Sequence, residues 1–128
     1  MKIAIATDDK ITIRKGHFGE SRYYLIYEIL NGQIFSEELR PNPDVLEEKH
    51  QHGNTERIME LLNDCQIFMA QTMGRKAIKK LAENNIEVII SSVKEAEKAV
   101  QFYLDGKDDL FKYYDKEAEA LLSCANRQ

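Results

Sequence analysis

Apolar and polar positions follow two different periods along the chain. Residues 2–7, KIAIAT, form a short apolar run that ends at the polar cluster Asp8–Lys10, which predicts a buried strand. Two further strand-like runs, residues 22–30 and 33–40, flank Asn31-Gly32, a dipeptide that tolerates the positive φ angles of a two-residue turn. The first third of the chain is therefore predicted to be a strand followed by a β-hairpin.

After Pro43 the pattern changes, and a polar, exposed loop is predicted before helices and strands alternate. Apolar residues at helical spacing predict three helices, and short apolar runs predict two strands. In chain order these are a helix from Asn54 or Thr55, a strand at 66–70, a helix at about 73–83, a strand at 86–90, and a helix that opens with a capping box at Ser92–Glu95 and ends at Gly106. The alternation implies right-handed crossovers between parallel strands, so we expect an α/β fold with a mixed five-stranded sheet and helices on its faces.

The tail of the chain carries apolar residues at helical spacing, which predicts a C-terminal helix. These residues are Leu110, Phe111, Tyr114, Ala118, Leu121 and Leu122. The chain is therefore divided into a domain of residues 1–105 and a helical extension of residues 106–128. We expect the extension to dock on the domain or to form the contact of a homodimer.

The composition and charge of the chain limit the kinds of partner that it can be expected to bind. The 128 residues are 43% hydrophobic and 31% charged, as in ordinary globular domains, and the net charge is −4. Because Lys and Arg are scattered, nucleic acid is not an expected partner. No apolar run approaches the roughly 20 residues that span a membrane, so a cytoplasmic protein is expected. Cys65 and Cys124 lack CxxC spacing, so neither a disulfide nor a cluster held by the chain's own thiols is expected.

Two groups of residues at strand ends could carry chemistry. Asp8 and Asp9 follow the first strand and either bind a cation such as Mg²⁺ or form a polar turn; the turn is favoured because adjacent strand residues point to opposite faces. Gly74 and Arg75 follow a buried strand, where a helix N-terminus would favour an anion. Met73 beside them is either core filler or a sulfur ligand.

The histidines form a third candidate. His17 and Phe18 lie between Gly16 and Gly19, where the backbone can approach a ligand closely and Phe18 can anchor the loop. The alternative is an ordinary surface histidine. His50 and His52 could bind a metal together with His17 if their loop aims both rings inward. No nucleophile elbow or zincin motif occurs, so the residues do not demand an enzyme.

Several segments together resemble the dinitrogenase iron-molybdenum cofactor biosynthesis family over roughly residues 1–105. They are MKIAIATDD at the start, GHFG at 16–19, YYLIYEILNGQI at 23–34, RPNP at 40–43, ELLNDCQIFMAQTMG at 60–74 and IEVII at 86–90. The resemblance implies a three-layer, ribonuclease H-like α/β fold. It also implies a non-catalytic prokaryotic protein that binds iron-sulfur precursors of the nitrogenase cofactor and exchanges them with metallocluster donor or acceptor proteins in nitrogen fixation.

The resemblance also implies which residues hold the cluster. The implied binding residues are Gly16, His17, Phe18, Gly19, Met73, Gly74 and Arg75, and the implied metal ligands are His17, His50 and His52. In the family the loop after the fourth strand is usually rich in glycine, whereas Gln71, Thr72 and Arg75 stand in this one and are expected to narrow a pocket. The alternative function is therefore a regulatory or protein-interaction module of the same fold that has lost the cluster.

Overall fold

A computed structural model of the chain describes residues 1–48 and 54–127. Within these ranges the strands are β1 (Lys2–Thr7), β2 (Tyr23–Leu30), β3 (Gln33–Pro41), β4 (Ile67–Ala70), β5 (Glu87–Ser91), β6 (Phe111–Asp115) and β7 (Ala120–Ser123). The helices are α1 (Pro43–Leu46), α2 (Thr55–Leu61), α3 (Arg75–Glu83) and α4 (Ala96–Leu104). None of the helices in these ranges is long and apolar enough to cross a membrane.

All seven strands form one mixed sheet in the order β3-β2-β1-β4-β5-β6-β7. The three central strands β1, β4 and β5 are parallel, and the hairpin strands on both sides pair antiparallel. The predicted α/β fold with a mixed sheet is confirmed, but the sheet has seven strands rather than five.

Helices cover both faces of the sheet because residues of each central strand alternate between two cores. Ile3, Ile5 and Met69 point to one face, where Ala99 and Val100 of α4 pack on them. Residues of the opposite parity point to the other face, where α2 and α3 pack on them; this second core includes Ala4, Phe68, Val88, Ile58, Ile78 and Leu81. The strands are thus buried on both faces, as expected for parallel strands.

The first strand and the hairpin form as predicted. Asn31 and Gly32 both have positive φ angles, +53° and +75°, as a type I′ turn requires.

The segment after Pro43, predicted as a loop, instead begins with the short helix α1. Asn42 starts this helix because its side chain accepts the N–H of Asp44, and Pro43 occupies the first helical position.

The predicted C-terminal helix is wrong, because residues 111–123 form the hairpin β6–β7. Phe111 is only 2% exposed and packs in the core. The strand pattern of FKYYD therefore predicts this segment better than the helical spacing of its apolar residues does. Asp115 accepts the N–H of Glu117 in the turn, where Glu119 has a φ of +51°. A homodimer contact through a C-terminal helix therefore has no helix to rest on.

The last helix of the core, α4, forms, but the predicted capping box does not. The helix begins at Ala96 with Glu95 as its N-cap, and no side chain caps it. Ser92, the predicted cap, donates its hydroxyl to the carbonyl of Leu110 at 2.9 Å. The tail, which was predicted as a helix, thus accepts a hydrogen bond from the hydroxyl that the predicted capping box required. Gly106 follows the helix with a φ of +76°, consistent with its predicted role as a stop.

Candidate functional site

The loops that follow β1 and β4 meet at one edge of the sheet. Because β1, β4 and β5 are parallel, their carboxyl ends lie at the same edge, which is where open α/β sheets bind ligands. The loop with His17 follows β1, and the loop with Met73 and Gly74 follows β4. The two segments predicted to bind a cofactor therefore belong to one side of the molecule.

A cavity of about 140 Å³ lies between these two loops. Its walls come from the segment after β1, from the start and body of α3, and from α2. The lining residues are His17, Phe18, Gly19, Glu20, Thr55, Ile58, Met73, Gly74, Ala77 and Leu81. The cavity thus brings together five of the seven predicted cofactor-binding residues, whereas Gly16 and Arg75 adjoin lining residues in sequence without lining the cavity.

The loop that carries His17 is held by an apolar anchor. Gly16 turns the chain with a φ of +82°, and Phe18 is buried while His17 is exposed. The ring of Phe18 stacks on Phe68 with centroids 5.1 Å apart and lies 5.2 Å from the ring of Tyr24. The predicted anchoring role of Phe18 is confirmed.

Hydrogen bonds to its carbonyl groups fix the same loop. The hydroxyl of Tyr24 donates to the carbonyl of Phe18 at 2.6 Å. The side-chain amide of Asn42 donates to the carbonyl of Ser21 at 2.9 Å and to that of Gly19 at 3.3 Å. Burial raises the pKa of Tyr24 well above its usual range, so its hydroxyl keeps the proton that it donates. The backbone is therefore held while the imidazole of His17 is left at the cavity rim.

The opposite wall is the N-terminus of α3. Gly74 is the N-cap and offers no side chain to the free N–H groups of the first turn. Arg75 and Lys76 follow it and are exposed, and Met73 is half-buried in the wall. This end of the cavity therefore has the positive partial charge of a helix N-terminus and two cationic side chains nearby.

The predicted set of metal ligands is only partly described. His17 lies at the cavity rim, whereas His50 and His52 fall outside the described residues. Within residues 1–48 and 54–127, no three His, Cys, Asp or Glu side chains are grouped so that they could hold a metal ion. Cys65 and Cys124 are buried, and burial, together with the nearby Asp64 carboxylate, raises the pKa of Cys65 to about 12. Both thiols belong to the core.

The acidic residues after β1 form the polar turn that the sequence favoured. Asp9 accepts the N–H groups of Ile11 and Thr12 at 2.9 and 2.7 Å and the hydroxyl of Thr12 at 2.6 Å. These hydrogen bonds hold the pKa of Asp9 well below its usual range. Asp8 pairs with Arg14 and accepts the N–H of Arg22. Both carboxylates are thus used within their own loop.

Gln71 was expected to narrow the pocket, but it does not line this cavity. Its side chain points to the other side of the loop, where it donates to the carbonyl of Ile13 at 2.7 Å. There it lines a separate cleft with Arg14, Lys15 and Lys94. Thr72 and Arg75 do not line the cavity either.

Four lining residues to which the sequence assigned no function come from the helices α2 and α3. Thr55 and Ile58 belong to α2, and Ala77 and Leu81 belong to α3. Each lies on or beside the inward face of its helix, so the sequence gives a signal for burial rather than for binding. Only the packing of α2 against α3 turns this face into a cavity wall.

The fold and the cavity define a class of small α/β domains with an open mixed sheet and a candidate ligand site at the carboxyl edge of its parallel strands. Within that class, this chain belongs to the dinitrogenase iron-molybdenum cofactor family, whose sequence profile matches residues 1–106. The match covers both loops of the cavity. No curated protein matches the sequence.

Several solved structures have a similar fold. The crystal structure of PH0822 is 23% identical, with a TM-score of 0.67 over 83% of this chain and 92% of that one. A Methanocaldococcus jannaschii protein named as a candidate dinitrogenase is 16% identical, with a TM-score of 0.62 over 98% of this chain and 96% of that one. A Thermotoga protein named as a candidate NifB protein is 18% identical, with a TM-score of 0.59 over 83% of this chain and 89% of that one. At these identities the likeness supports the fold alone.

Proposed function

We propose that this protein is a non-catalytic carrier domain that holds an iron-sulfur or iron-molybdenum cofactor precursor at the cavity beside His17. The observation that carries the proposal is the meeting of two loops, GHFG and TMG, at one cavity. Both loops lie within the part of the chain that matches the family. Proteins that donate or accept the metallocluster are the proposed partners.

The residues around the cavity suit a negatively charged cluster that binds reversibly. The imidazole of His17 is a ligand for iron, and the thioether of Met73 is a second, softer donor. The free N–H groups at the start of α3 and the charge of Arg75 favour an anion. Phe18 and Ile58 make the inner wall apolar, so water is excluded from that side.

The described donors are too few for a permanently resident cluster. Such clusters are usually held by four protein ligands, mostly cysteine thiolates. Here both cysteines are buried away from the cavity, and His17 is the histidine at its rim within the described ranges. A site with few protein ligands suits a carrier, because the cluster must dissociate as readily as it binds. His50 and His52 remain predicted further ligands.

We also infer that the protein is not an enzyme. Phosphoryl chemistry on a ribonuclease H-like fold would need several carboxylates gathered around Mg²⁺. The carboxylates of Asp8 and Asp9 instead accept hydrogen bonds from their own loop. We propose that the sheet and helices follow the ribonuclease H-like arrangement.

Anaerobic reconstitution tests the proposed function. Wild-type protein incubated with ferrous iron and sulfide, then desalted, is expected to show charge-transfer absorbance, and His17→Ala is expected to lose most of it. Lys15→Ala is the matched control, because Lys15 is exposed in the same segment and does not line the cavity. A His50→Ala/His52→Ala double variant tests whether the predicted pair contributes. Wild-type protein that stays colourless contradicts the proposal.

A second function rests on the small number of described ligands: a regulatory or interaction module that has lost the cluster. It predicts a folded wild-type protein that gains no absorbance in the same reconstitution. Deletion of residues 108–128 is not a clean test of an interaction role, because it would remove β6 and the buried Phe111 and expose β5. Substitutions on the surface of the β6–β7 hairpin are the appropriate probes.

A further inference from the structure

The outer side of β3 is an open sheet edge. β3 is the end strand of the sheet and spans nine residues, and no described strand pairs with its outer side. Two apolar side chains on it are exposed, Phe35 at 67% and Leu39 at 40%. A long edge strand with exposed apolar residues is a template for pairing with another strand.

The hydrogen bonds of the hairpin identify which backbone groups of β3 point outward. The N–H of Asn42 donates to the carbonyl of Arg22, so residues 22 and 42 form a hydrogen-bonded pair of the antiparallel ladder. Such pairs alternate, and Leu39 lies opposite Leu25 at a position that is not hydrogen-bonded. The N–H and C=O groups of Glu37 and Leu39 therefore face away from β2. Pro41, whose nitrogen cannot donate, shares this outward set.

The charges of the strand select one register for pairing with a second copy. If two β3 strands run antiparallel about a two-fold axis at Leu39, Glu38 of each copy lies opposite Arg40 of the other. A shift by two residues places Glu38 opposite Glu38 in one direction and Arg40 opposite Arg40 in the other. Odd shifts would pair outward backbone groups with inward ones. Arg40 is already fixed, since it donates to both carboxylate oxygens of Asp64 at 2.8 and 3.0 Å and to both of Glu38 in its own chain at 2.9 and 3.0 Å. In this register the two Glu38–Arg40 pairs lie side by side with their charges alternating.

We propose that the protein forms a two-fold symmetric dimer in which β3 pairs antiparallel with β3 of a second copy, with Leu39 on the axis. The N–H of Leu39 in each copy donates to the carbonyl of Leu39 in the other, and the N–H of Glu37 in each copy donates to the carbonyl of Pro41 in the other. Four backbone hydrogen bonds form in total. The carbonyl of Glu37 receives no hydrogen bond in return, because Pro41 opposite it has no N–H. The two sheets become one continuous sheet of fourteen strands, twice the seven of one chain.

Charged residues and proline usually protect an edge strand from pairing. Here the charges disfavour the registers that are shifted by two residues, so they favour one register for a defined dimer. The pairing involves only about five residues of each strand, below the area of a standard stable interface. We therefore expect reversible, concentration-dependent association.

Sedimentation analysis tests the dimer. The wild type is expected to shift from one chain towards two between about 10 µM and about 1 mM. Leu39→Pro removes the outward N–H without touching the ladder to β2, and loss of two hydrogen bonds should weaken the dimer at least about tenfold. Glu38→Lys should weaken it by placing a cation opposite Arg40 of the other copy, and it also removes the ion pair with Arg40 in its own chain. Glu83→Lys, the same charge change at an exposed site on α3, is the matched control and should leave the dimer intact.

Crosslinking locates the interface independently of affinity. Hydrogen-bonded antiparallel partners have Cα atoms about 5.5 Å apart, within the range that a disulfide spans. Mild oxidation of Leu39→Cys should therefore yield a disulfide-linked dimer, whereas Ile11→Cys, exposed elsewhere, should not. A wild type that remains a monomer at about 1 mM overturns the proposal. So does a dimer that neither Leu39→Pro nor Glu38→Lys weakens.

Discussion

Two neighbouring loops at the carboxyl edge of the sheet use their polar residues in opposite ways. In the turn after β1, the carboxylate of Asp9 accepts three hydrogen bonds from Ile11 and Thr12. A few residues later, His17 is exposed at the rim of a cavity while its loop is held through Phe18 and through backbone carbonyls. Position at the functional edge is therefore not enough to identify a ligand. A side chain that is hydrogen-bonded within its own loop is not available to a ligand. A side chain that makes no such bond is available.

Loss of the Phe18 anchor should produce the largest effect. Phe18→Ala removes a buried ring that packs on Phe68 and Tyr24, and we expect the free energy of unfolding to fall by about 3 kcal/mol. Phe35→Ala, at an exposed phenylalanine, is the control and should change it little. Denaturant unfolding measures both. Similar losses in the two variants would show that the loop is not anchored by Phe18.

The acidic turn should respond to pH through Asp9. Its pKa is lower in the folded protein than in the unfolded chain, so its stabilisation is present above about pH 4 and is lost as pH falls below that value. At pH 7, Asp9→Ala should lower the free energy of unfolding by about 1 kcal/mol, since solvent screens this exposed group. At pH 3 the difference from the wild type should shrink. A difference that is independent of pH would contradict a role for the ionised carboxylate.

The smallest effect on stability is expected at His17. Its side chain is exposed, so His17→Ala should change the free energy of unfolding by less than about 0.5 kcal/mol. The same variant is expected to lose cluster absorbance in reconstitution. Thermal unfolding of the two proteins, measured without iron, checks the first half of this contrast. A large loss of stability would place His17 with Asp9 as a structural residue.

The sequence predicted those parts of the fold in which local signals agree. β1 and the β2–β3 hairpin form as expected because an apolar run and an Asn-Gly turn specify them without help from distant residues. The tail was predicted wrongly because its apolar residues, from Leu110 to Leu122, also recur at a spacing that favours a helix. Pairing of β6 with β5 outweighs that preference, and the aromatic alternation in FKYYD was the available signal.

The candidate site was predictable at its two loops but not at its helices. The glycines around His17 and the residues before α3 are visible in sequence, and they line the cavity as expected apart from Gly16 and Arg75. Ile58 and Leu81 line it too, but nothing local distinguishes them from other core residues. The direction of Gln71 was also inaccessible, because it depends on the carbonyl of Ile13, 58 residues earlier.

The β6–β7 hairpin has a consequence for shortened forms of the protein. Strand β5 pairs with β4 on one side and with β6 on the other, and β6 begins only at Phe111. A chain of residues 1–106 would therefore leave β5 as an unpaired edge, which is prone to aggregation. In the full chain the hairpin covers that edge, and Arg127 pairs with Glu87 on β5. Proteolysis between Gly106 and Phe111 is therefore expected to yield a product that aggregates at concentrations at which the full chain stays dispersed.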